Sequence, residues 1–146
     1  MVPDWELRLI PWLEAGAKRM IVQVEDIGGS AASLAEVAAR YGAEAMLSLA
    51  LETPLEALAA HYGRFHAFQI MGVPLGKSGQ PFDRRAEERL RAVRAACPDA
   101  ILQLDGGVTP EVVRIVKEAG ANSVVSSSYI WNAADPKGAY ESLTKI

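Results

Sequence analysis

A chain of 146 residues, half of them hydrophobic and 23% charged, has the composition of one globular domain and not of a disordered protein. The net charge of -3, without a basic run, excludes the usual electrostatic basis for binding nucleic acid or an anionic membrane. No run of 18 apolar residues is present, and residues 1–6 lack the features of a signal peptide. The single cysteine, Cys97, cannot form an internal disulfide and fits a reducing compartment. We therefore expect a cytoplasmic protein.

Short apolar runs alternate with longer segments of helical periodicity along the chain. Asp4 is a suitable N-cap for the first helix, and the Thr-Pro pairs at 53–54 and 109–110 each predict an N-cap followed by proline at the first helical position. In chain order the pattern predicts a helix at 4–15, a strand at 20–24, a helix at 33–41, a strand at 45–49, a helix at 53–62, a strand at 67–71, a helix at 82–96, a strand at 101–104, a helix at 109–119, a strand at 123–126 and a helix at 136–144.

This strict alternation predicts an α/β fold with a parallel sheet covered by helices. An open doubly wound sheet and part of a βα barrel both satisfy the pattern. The Gly-x-Gly-x-x-Gly signature of dinucleotide-binding folds is absent, since Gly28-Gly29 lacks the required spacing. One βα unit takes roughly 22 residues, so the chain has room for about six units and not for the eight of a closed barrel.

Asp105 is the first candidate functional residue, because sites in parallel βα proteins form at the carboxyl ends of the strands. A carboxylate there can act as a base or as a metal ligand. Gly106 and Gly107 allow close approach of a ligand, and their amides, beside the predicted helix start at 109–110, suit an anion such as phosphate. The structural alternative is that Asp105 only caps a loop.

Two further segments follow predicted strands. Ser126-Ser127-Ser128 offers amides and hydroxyls to a phosphate, although a serine-rich turn is an equal alternative. The loop 72–81 is long for a βα connection and contains three glycines, which indicates a lid or a phosphate-contacting loop. It is not a nucleotide-binding P-loop, because Met71 stands where that motif requires glycine. His61 and His66 are interpreted as structural, Trp5 and Trp12 as packing residues and the charge run at 83–94 as a solvated helix face.

Together these segments resemble the ribulose-phosphate 3-epimerase family of TIM barrels over essentially the whole chain. The family's loop Met-Thr-Val-Asn-Pro-Gly-Phe-Gly-Gly-Gln-x-Phe has the same length as residues 71–82, MGVPLGKSGQPF, which keep about half of its letters. The family's Val-Asp-Gly-Gly-Val/Ile matches residues 104–108, LDGGV, and its Val-Ala-Gly-Ser-Ala-Ile-Phe corresponds to residues 125–131, VSSSYIW. The Thr-Pro of the family matches residues 53–54.

The resemblance implies a partial (β/α)8 barrel of about five strands and six helices, forming one domain over 1–146, because the family's first two βα units and most of its third strand would precede Met1. It implies a divalent metal (Zn, Fe or Mn), which the family binds through two His and two Asp that include the acid and base. Only Asp105 matches these four residues, so we expect that this chain alone does not hold the metal. Gln23 replaces a family histidine, Ser127 replaces a phosphate-binding glycine, and Glu25 is kept.

Three functions remain open. The first is an epimerase-like isomerase converting D-ribulose 5-phosphate to D-xylulose 5-phosphate in the pentose phosphate pathway, incomplete as this chain. The second is a non-catalytic phosphosugar-binding or scaffolding protein, and the third is a different phosphosugar enzyme with Asp105 as its sole base. The predicted partner is a phosphorylated pentose. The predicted site comprises Asp105 as catalytic residue and metal ligand, and Gly76, Ser78, Gly79, Gly106, Gly107, Ser127 and Ser128 as phosphate-binding residues.

Self-association is also expected, because five parallel strands cannot close a barrel of eight. Two strand edges would remain open, and exposed edges and large apolar patches promote association. We therefore expect a homo-oligomer. The predicted apolar inner face of the incomplete barrel consists of Met20, Val22, Leu47, Leu49, Ile70, Leu102 and Val125.

Overall fold

The computed structural model describes residues 5–145, with side chains from Arg8 onward. Strands and helices alternate as the sequence predicts. In chain order the elements are α1 (Trp5–Glu14), β1 (Arg19–Gln23), α2 (Val24–Ile27), a 3-10 turn (Gly28–Ser30), α3 (Ala31–Arg40), β2 (Glu44–Leu49), α4 (Leu55–Ala59), β3 (Ala67–Met71), α5 (Arg85–Ala96), β4 (Ile101–Asp105), α6 (Pro110–Glu118), β5 (Ser123–Val125), α7 (Ser128–Trp131) and α8 (Pro136–Thr144).

Helix starts differ in how well the sequence predicted them. Thr109 caps α6 as expected, because its side chain accepts a hydrogen bond from the Val112 amide at 3.3 Å. The corresponding prediction for Thr53 is wrong, since Pro54 occupies the N-cap position of α4 and makes no side-chain cap. The Thr53 amide instead donates to the Ala50 carbonyl in a turn. Asp4, the predicted cap of α1, lies outside the described residues.

The loop after β3 extends further than predicted, through residue 84, and α5 begins at Arg85. The Asp83 amide donates to the Gly72 carbonyl at 2.8 Å, and the Asp83 carboxylate accepts from the Arg85 amide at 2.9 Å. These contacts fix 82–84 as part of the loop. The one-turn helices α2 and α7 were not predicted, because four residues are too few to show a helical period.

The five strands form one sheet in the order β1-β2-β3-β4-β5, and each strand is parallel to the next. A doubly wound sheet reverses its strand order at a switch point, so this sequential order excludes that alternative. Right-handed crossovers between sequential parallel strands place the connecting helices on one face of the sheet. The chain therefore forms part of the wall of a TIM-like barrel, as expected. Within the described residues, no helix is long and apolar enough to cross a membrane.

The sequence predicted that seven apolar strand residues line the inside of the barrel, and for six of them this prediction is wrong. The register aligns Val22 with Leu47, and alternate side chains point to opposite faces of a strand. These residues belong to the buried core together with Leu34 and Leu90 of the helices, so they face the helix layer. The sequence could not assign the faces because the strands carry apolar residues on both sides. Met20, Val22, Leu47, Leu49, Ile70 and Leu102 all pack with the helix layer, whereas Val125 points to the opposite side.

The other face of the sheet carries a row of polar side chains, one from each strand and all in register. Ser48 is fully buried, and Gln69 and Gln103 are 3% and 4% exposed. Ser123 donates to the Gln103 side-chain oxygen at 3.0 Å. We call this set the polar row; it consists of Gln23, Ser48, Gln69, Gln103 and Ser123.

Glycines allow the loops after β3 and β4 to pack directly on each other. Gly107 has φ +68°, and a Cβ there would lie 2.6 Å from the backbone nitrogen of Phe82. A Cβ on Gly106 would lie 2.5 Å from Val73 Cγ2, and one on Gly72 would lie 2.5 Å from the Gly106 carbonyl oxygen. Such distances leave no room for a side chain, so these glycines determine how the two loops fit together.

We predict that Gly107→Ala destabilises the fold more than Gly42→Ala. Gly42 has a similar φ of +63°, but no atom lies within 4 Å of the position that a Cβ would take there. Both variants therefore carry the conformational cost of about 1 kcal/mol, and only Gly107→Ala meets the Phe82 backbone. The additional loss for Gly107→Ala should be about 1–3 kcal/mol in urea unfolding. Equal losses for the two variants would contradict the close packing of the loops.

A candidate ligand site at the carboxyl ends of the strands

A cavity of about 750 Å³ extends from the edge strand β1 to the carboxyl ends of β3, β4 and β5. Its wall includes β1, the ends of β3 and β4, and the loop that follows β3. The structure brings every residue of the predicted site to this one cavity: Gly76, Ser78, Gly79, Asp105, Gly106, Gly107, Ser127 and Ser128.

Asp105 is the last residue of β4 and lies partly buried on the cavity wall. Its Oδ2 accepts a hydrogen bond from the Gln69 side-chain amide at 3.2 Å. Its backbone carbonyl accepts from the Gly72 amide at 2.7 Å, which ties the ends of β3 and β4 together. Burial raises the pKa of the Asp105 carboxyl, and the hydrogen bond from Gln69 opposes that rise with a smaller effect. A carboxylate with a raised pKa is a better proton acceptor than an exposed one.

The loop after β3 is closed upon itself. The Gln80 side-chain amide donates to the carbonyl oxygens of Pro74 at 2.7 Å and Lys77 at 2.8 Å. The loop also approaches the segment after β5, because a Cβ on Gly79 would lie 3.9 Å from Ser128 Cβ. Two of the three predicted phosphate-binding segments, 76–79 and 127–128, are therefore neighbours at the cavity.

The serine segment supplies one polar atom without a partner. Among the described residues, the Ser126 hydroxyl is buried and makes no hydrogen bond. Ser126 also lines the cavity, as Ser127 and Ser128 do. An unsatisfied buried hydroxyl carries a free-energy cost unless a bound group pairs with it. The atom has almost no accessible surface in this structure, so it does not distinguish a polar ligand from a simple turn.

Glu25 supports the site from outside. Its Oε1 accepts from the Ala50 amide at 3.0 Å, and Arg89 donates to the Ala50 carbonyl at 2.9 Å, so the backbone at the end of β2 is held from both sides. The Gln23 side-chain amide lies beside Glu25. Its oxygen accepts from the Ser48 hydroxyl at 3.0 Å, and in this orientation its nitrogen donates to Glu25 Oε2 at 3.1 Å. Glu25 thereby orients Gln23, which does line the cavity.

Among the cavity residues that sequence reasoning did not assign to the site are Gln69 and Trp12. Gln69 interrupts the apolar run of β3, and a single polar residue inside a buried strand was a signal that could have identified it. Trp12 was interpreted as a packing residue, but it is 61% exposed and lines the cavity. The side chain of Trp5 lies outside the described residues.

The residues interpreted as structural or solvated lie elsewhere. His61 packs its ring edge against Phe65 at a centroid distance of 6.1 Å, and neither His61 nor His66 lines the cavity. In the charged run before and within α5, Arg85 forms exposed ion pairs of 2.9 Å with Glu52 and with Asp83. These contacts lower the pKa of both carboxyls. They attach the loop after β2 to the start of α5.

Solved structures show the same architecture. 3-Hexulose-6-phosphate synthase from Salmonella typhimurium superposes with a TM-score of 0.73 at 19% sequence identity, over 99% of this chain and 68% of that one. A second structure of 3-hexulose-6-phosphate synthase gives a TM-score of 0.70 at 21% identity, over 97% and 68% of the two chains. At this identity the likeness shows the fold alone.

Curated relatives are similar in sequence. Ribulose-phosphate 3-epimerase of Mycobacterium bovis is 29% identical over 139 residues, which are 92% of this chain and 60% of that protein. The Chlamydia muridarum protein of the same name is 30% identical over 82% of this chain and 55% of its own length. The cytoplasmic isoform of Oryza sativa subsp. japonica is 36% identical over 76 residues, 52% of this chain and 33% of that protein. The chain thus spans less than two thirds of the length of these relatives.

The profile of the ribulose-phosphate 3-epimerase family matches residues 1–131, nearly the whole chain. The match agrees with the order of the strands and with the position of Asp105 and its two glycines at the cavity. The chain belongs to the ribulose-phosphate 3-epimerase family.

Proposed function

We propose that the chain binds a phosphorylated pentose in the cavity, with the phosphate between the Gly106-Gly107 turn and the serine segment, and with the sugar toward Asp105. The observation that carries this proposal is that one cavity joins Asp105 to all three predicted phosphate-binding segments, 76–79, 106–107 and 127–128. Its volume of about 750 Å³ falls within the range of small-molecule sites. Loop glycines and backbone amides are a common means of holding phosphate.

The proposed reaction is the conversion of D-ribulose 5-phosphate to D-xylulose 5-phosphate, with Asp105 as one of the two proton-transferring groups. Inversion at a carbon requires removal of a proton on one face and its return on the other. The other carboxylate on the described cavity wall is that of Asp26 on α2, next to β1. Asp26 follows β1 and Asp105 ends β4, so the two carboxylates come from strands that are three places apart in the sheet.

A second candidate function follows because, of the four family residues that the resemblance implies for metal binding and proton transfer, only Asp105 is present in the given residues. A cavity that holds the phosphate and one carboxylate supports binding without efficient inversion, as in a non-catalytic phosphosugar-binding or scaffolding protein. A different phosphosugar enzyme that uses Asp105 as its only base is the third proposal. The assays of binding and turnover described below separate binding from catalysis.

The divalent metal implied by the family does not fit the described residues. No group of three His, Cys, Asp or Glu side chains lies together in residues 8–145. The group that contacts the Asp105 carboxylate is the Gln69 amide, which donates a hydrogen bond and brings no negative charge. Zinc, iron and manganese sites require several imidazole, thiolate or carboxylate ligands. No step of the proposed reaction is therefore assigned to a metal.

We predict that Asp105→Asn raises the melting temperature at pH 7. Burial raises the pKa of this carboxyl in the folded chain above its value in the unfolded chain. The free energy of unfolding therefore falls as the pH rises from the unfolded-state pKa through the folded-state pKa. The loss of stability is complete at neutral pH. The difference between variant and wild type should vanish below about pH 4. Asp99→Asn, an exposed residue outside the cavity, controls for the change in net charge. A destabilised Asp105→Asn variant at pH 7 would contradict the assignment.

Ser128→Asp should weaken binding of D-ribulose 5-phosphate at least about tenfold, because a carboxylate beside the phosphate repels it. Ser33→Asp, an exposed change on α3 outside the cavity, makes the same alteration in charge and should leave the dissociation constant unchanged. Isothermal titration calorimetry with the sugar phosphate and with inorganic phosphate measures both. Unchanged binding to Ser128→Asp would refute the proposed position of the phosphate.

The purified 146-residue chain should turn over D-ribulose 5-phosphate at least about 10²–10⁴-fold more slowly than a full-length relative assayed beside it. The reason is that, of the acid and base residues implied by the resemblance, only Asp105 is present in the given residues. Any residual turnover should be lost in Asp105→Asn. Turnover equal to that of the full-length relative would show that the chain carries a complete site and would exclude the non-catalytic alternative.

We also propose a homo-oligomer, on different grounds from the apolar inner face predicted from sequence. Within the described residues β1 and β5 each pair with one neighbouring strand. Four large hydrophobic side chains on the cavity wall are solvent-exposed: Trp12 61%, Ile21 44%, Leu75 38% and Val125 38%. Such a patch beside an open strand edge promotes association of chains.

Size-exclusion chromatography with light scattering at micromolar concentration should give a mass above the 15.7 kDa of one chain. Ile21→Lys should shift the mass toward the monomer, because it places a charge at the centre of the β1 edge. Tyr140→Lys, at a residue of α8 that is 57% exposed and does not line the cavity, is the control. A wild-type monomer would refute the proposal.

The proposed location is the cytoplasm. It rests on the unpaired Cys97 and on the similarity to a relative described as a cytoplasmic isoform.

A further inference from the structure

We infer that the Gln69 amide takes the place at the Asp105 carboxylate that a divalent cation would need, so that this cavity binds its ligand without a metal. The Gln69 nitrogen lies 3.2 Å from Asp105 Oδ2. Gln69 is only 3% exposed, so its amide is held within the sheet and not at a mobile surface. This inference goes beyond the proposed function. Only the experiment with D-ribulose 5-phosphate, given last, rests on the proposed function.

The geometry of the sheet makes this contact a fixed one. Gln69 is paired in register with Gln103, and Asp105 lies two residues further along β4 on the same face. The Gln69 side chain therefore reaches diagonally from the polar row to the carboxylate at the rim. Both backbones belong to central hydrogen-bonded strands, which restricts the movement of either group.

The chemistry of the contact opposes a cation. The NH₂ group that donates to Oδ2 occupies one acceptor position of the carboxylate and adds no negative charge to attract a cation. The rest of the polar row consists of amides and hydroxyls, which are neutral. One carboxylate with neutral neighbours does not offset the cost of dehydrating Zn²⁺ or Mn²⁺.

Sugar hydroxyls suit this surface better than a metal does. A hydroxyl donates to a carboxylate oxygen and accepts from an amide, and the cavity wall offers both through Asp105, Gln69 and Gln23. Hydrogen bonds to ionised groups contribute more than neutral ones. Recognition of the polyol is thus assigned to the amides and the carboxylate acting together.

The test is a titration with MnCl₂ alone, in the absence of sugar phosphate. The paramagnetic broadening of the Gln69 side-chain amide signals is followed by NMR, the signals being assigned by their loss in Gln69→Leu. We expect no selective broadening at one equivalent of Mn²⁺. Selective broadening at one equivalent in the wild type, lost in Asp105→Asn, would overturn the inference.

Gln69→Glu tests whether the amide is the deciding group. This variant places a second carboxylate beside Asp105 and should bind Mn²⁺ at least tenfold more tightly than the wild type does. Adding Asp105→Asn to the variant should remove this Mn²⁺ site. Gln69→His serves the same purpose if the glutamate variant does not fold. A folded variant that gains no Mn²⁺ site would overturn the assignment of metal exclusion to Gln69.

A ligand arm separates this inference from the proposed function. Binding of D-ribulose 5-phosphate to the wild type is measured by calorimetry in EDTA and in MnCl₂, and the two dissociation constants should agree within twofold. A dissociation constant at least tenfold lower in MnCl₂ would overturn the inference. Absence of binding in both buffers would refute the proposed ligand, while the titration with MnCl₂ alone would still decide the question of the metal.

Discussion

The packing of one face of the sheet against the helices is the constraint on which the rest of this structure depends. Leu47, Phe68 and Leu102 on adjacent strands are completely buried, together with Leu58 and Leu90 from the helices. Since the strands are parallel and sequential in order, this packing places the connecting helices on one side and all carboxyl ends at one rim. The opposite side of the sheet is therefore free to carry a cavity and polar chemistry.

The polar row is the second consequence of that arrangement. Buried amides and hydroxyls are tolerated only when they are hydrogen-bonded, and here neighbouring strands supply the partners, as Ser123 does for Gln103. The Gln103 side-chain nitrogen is nevertheless without a partner among the described residues. Asp105 lies just beyond this row, where burial raises the pKa of its carboxyl and the Gln69 amide partly compensates. The environment of the candidate base is thus set by amides from neighbouring strands and not by charged side chains.

The site also depends on close contacts between loops. Gly72, Gly106 and Gly107 leave room for the loop after β3 to lie against the turn after β4, with Phe82 in direct contact. β1 forms an open edge of the sheet. All five of its residues line the cavity, although their side chains alternate between the two faces of the sheet. The cavity therefore runs along that edge. The exposed Ile21 and the open edge connect the ligand site to the proposed association of chains.

The sequence by itself determined the alternation of strands and helices, the cap at Thr109 and the grouping of Asp105 with its two glycines, because each depends on local chemistry or on short spacing. It also carried the resemblance that the family profile confirms. Only the tertiary structure decided which face of the strands meets the helices, since Val22 and Ile21 are neighbours and both apolar, although only Val22 is buried. The contact between Gln69 and Asp105 likewise joins residues 36 positions apart, and it exists only because β3 and β4 pair in this register.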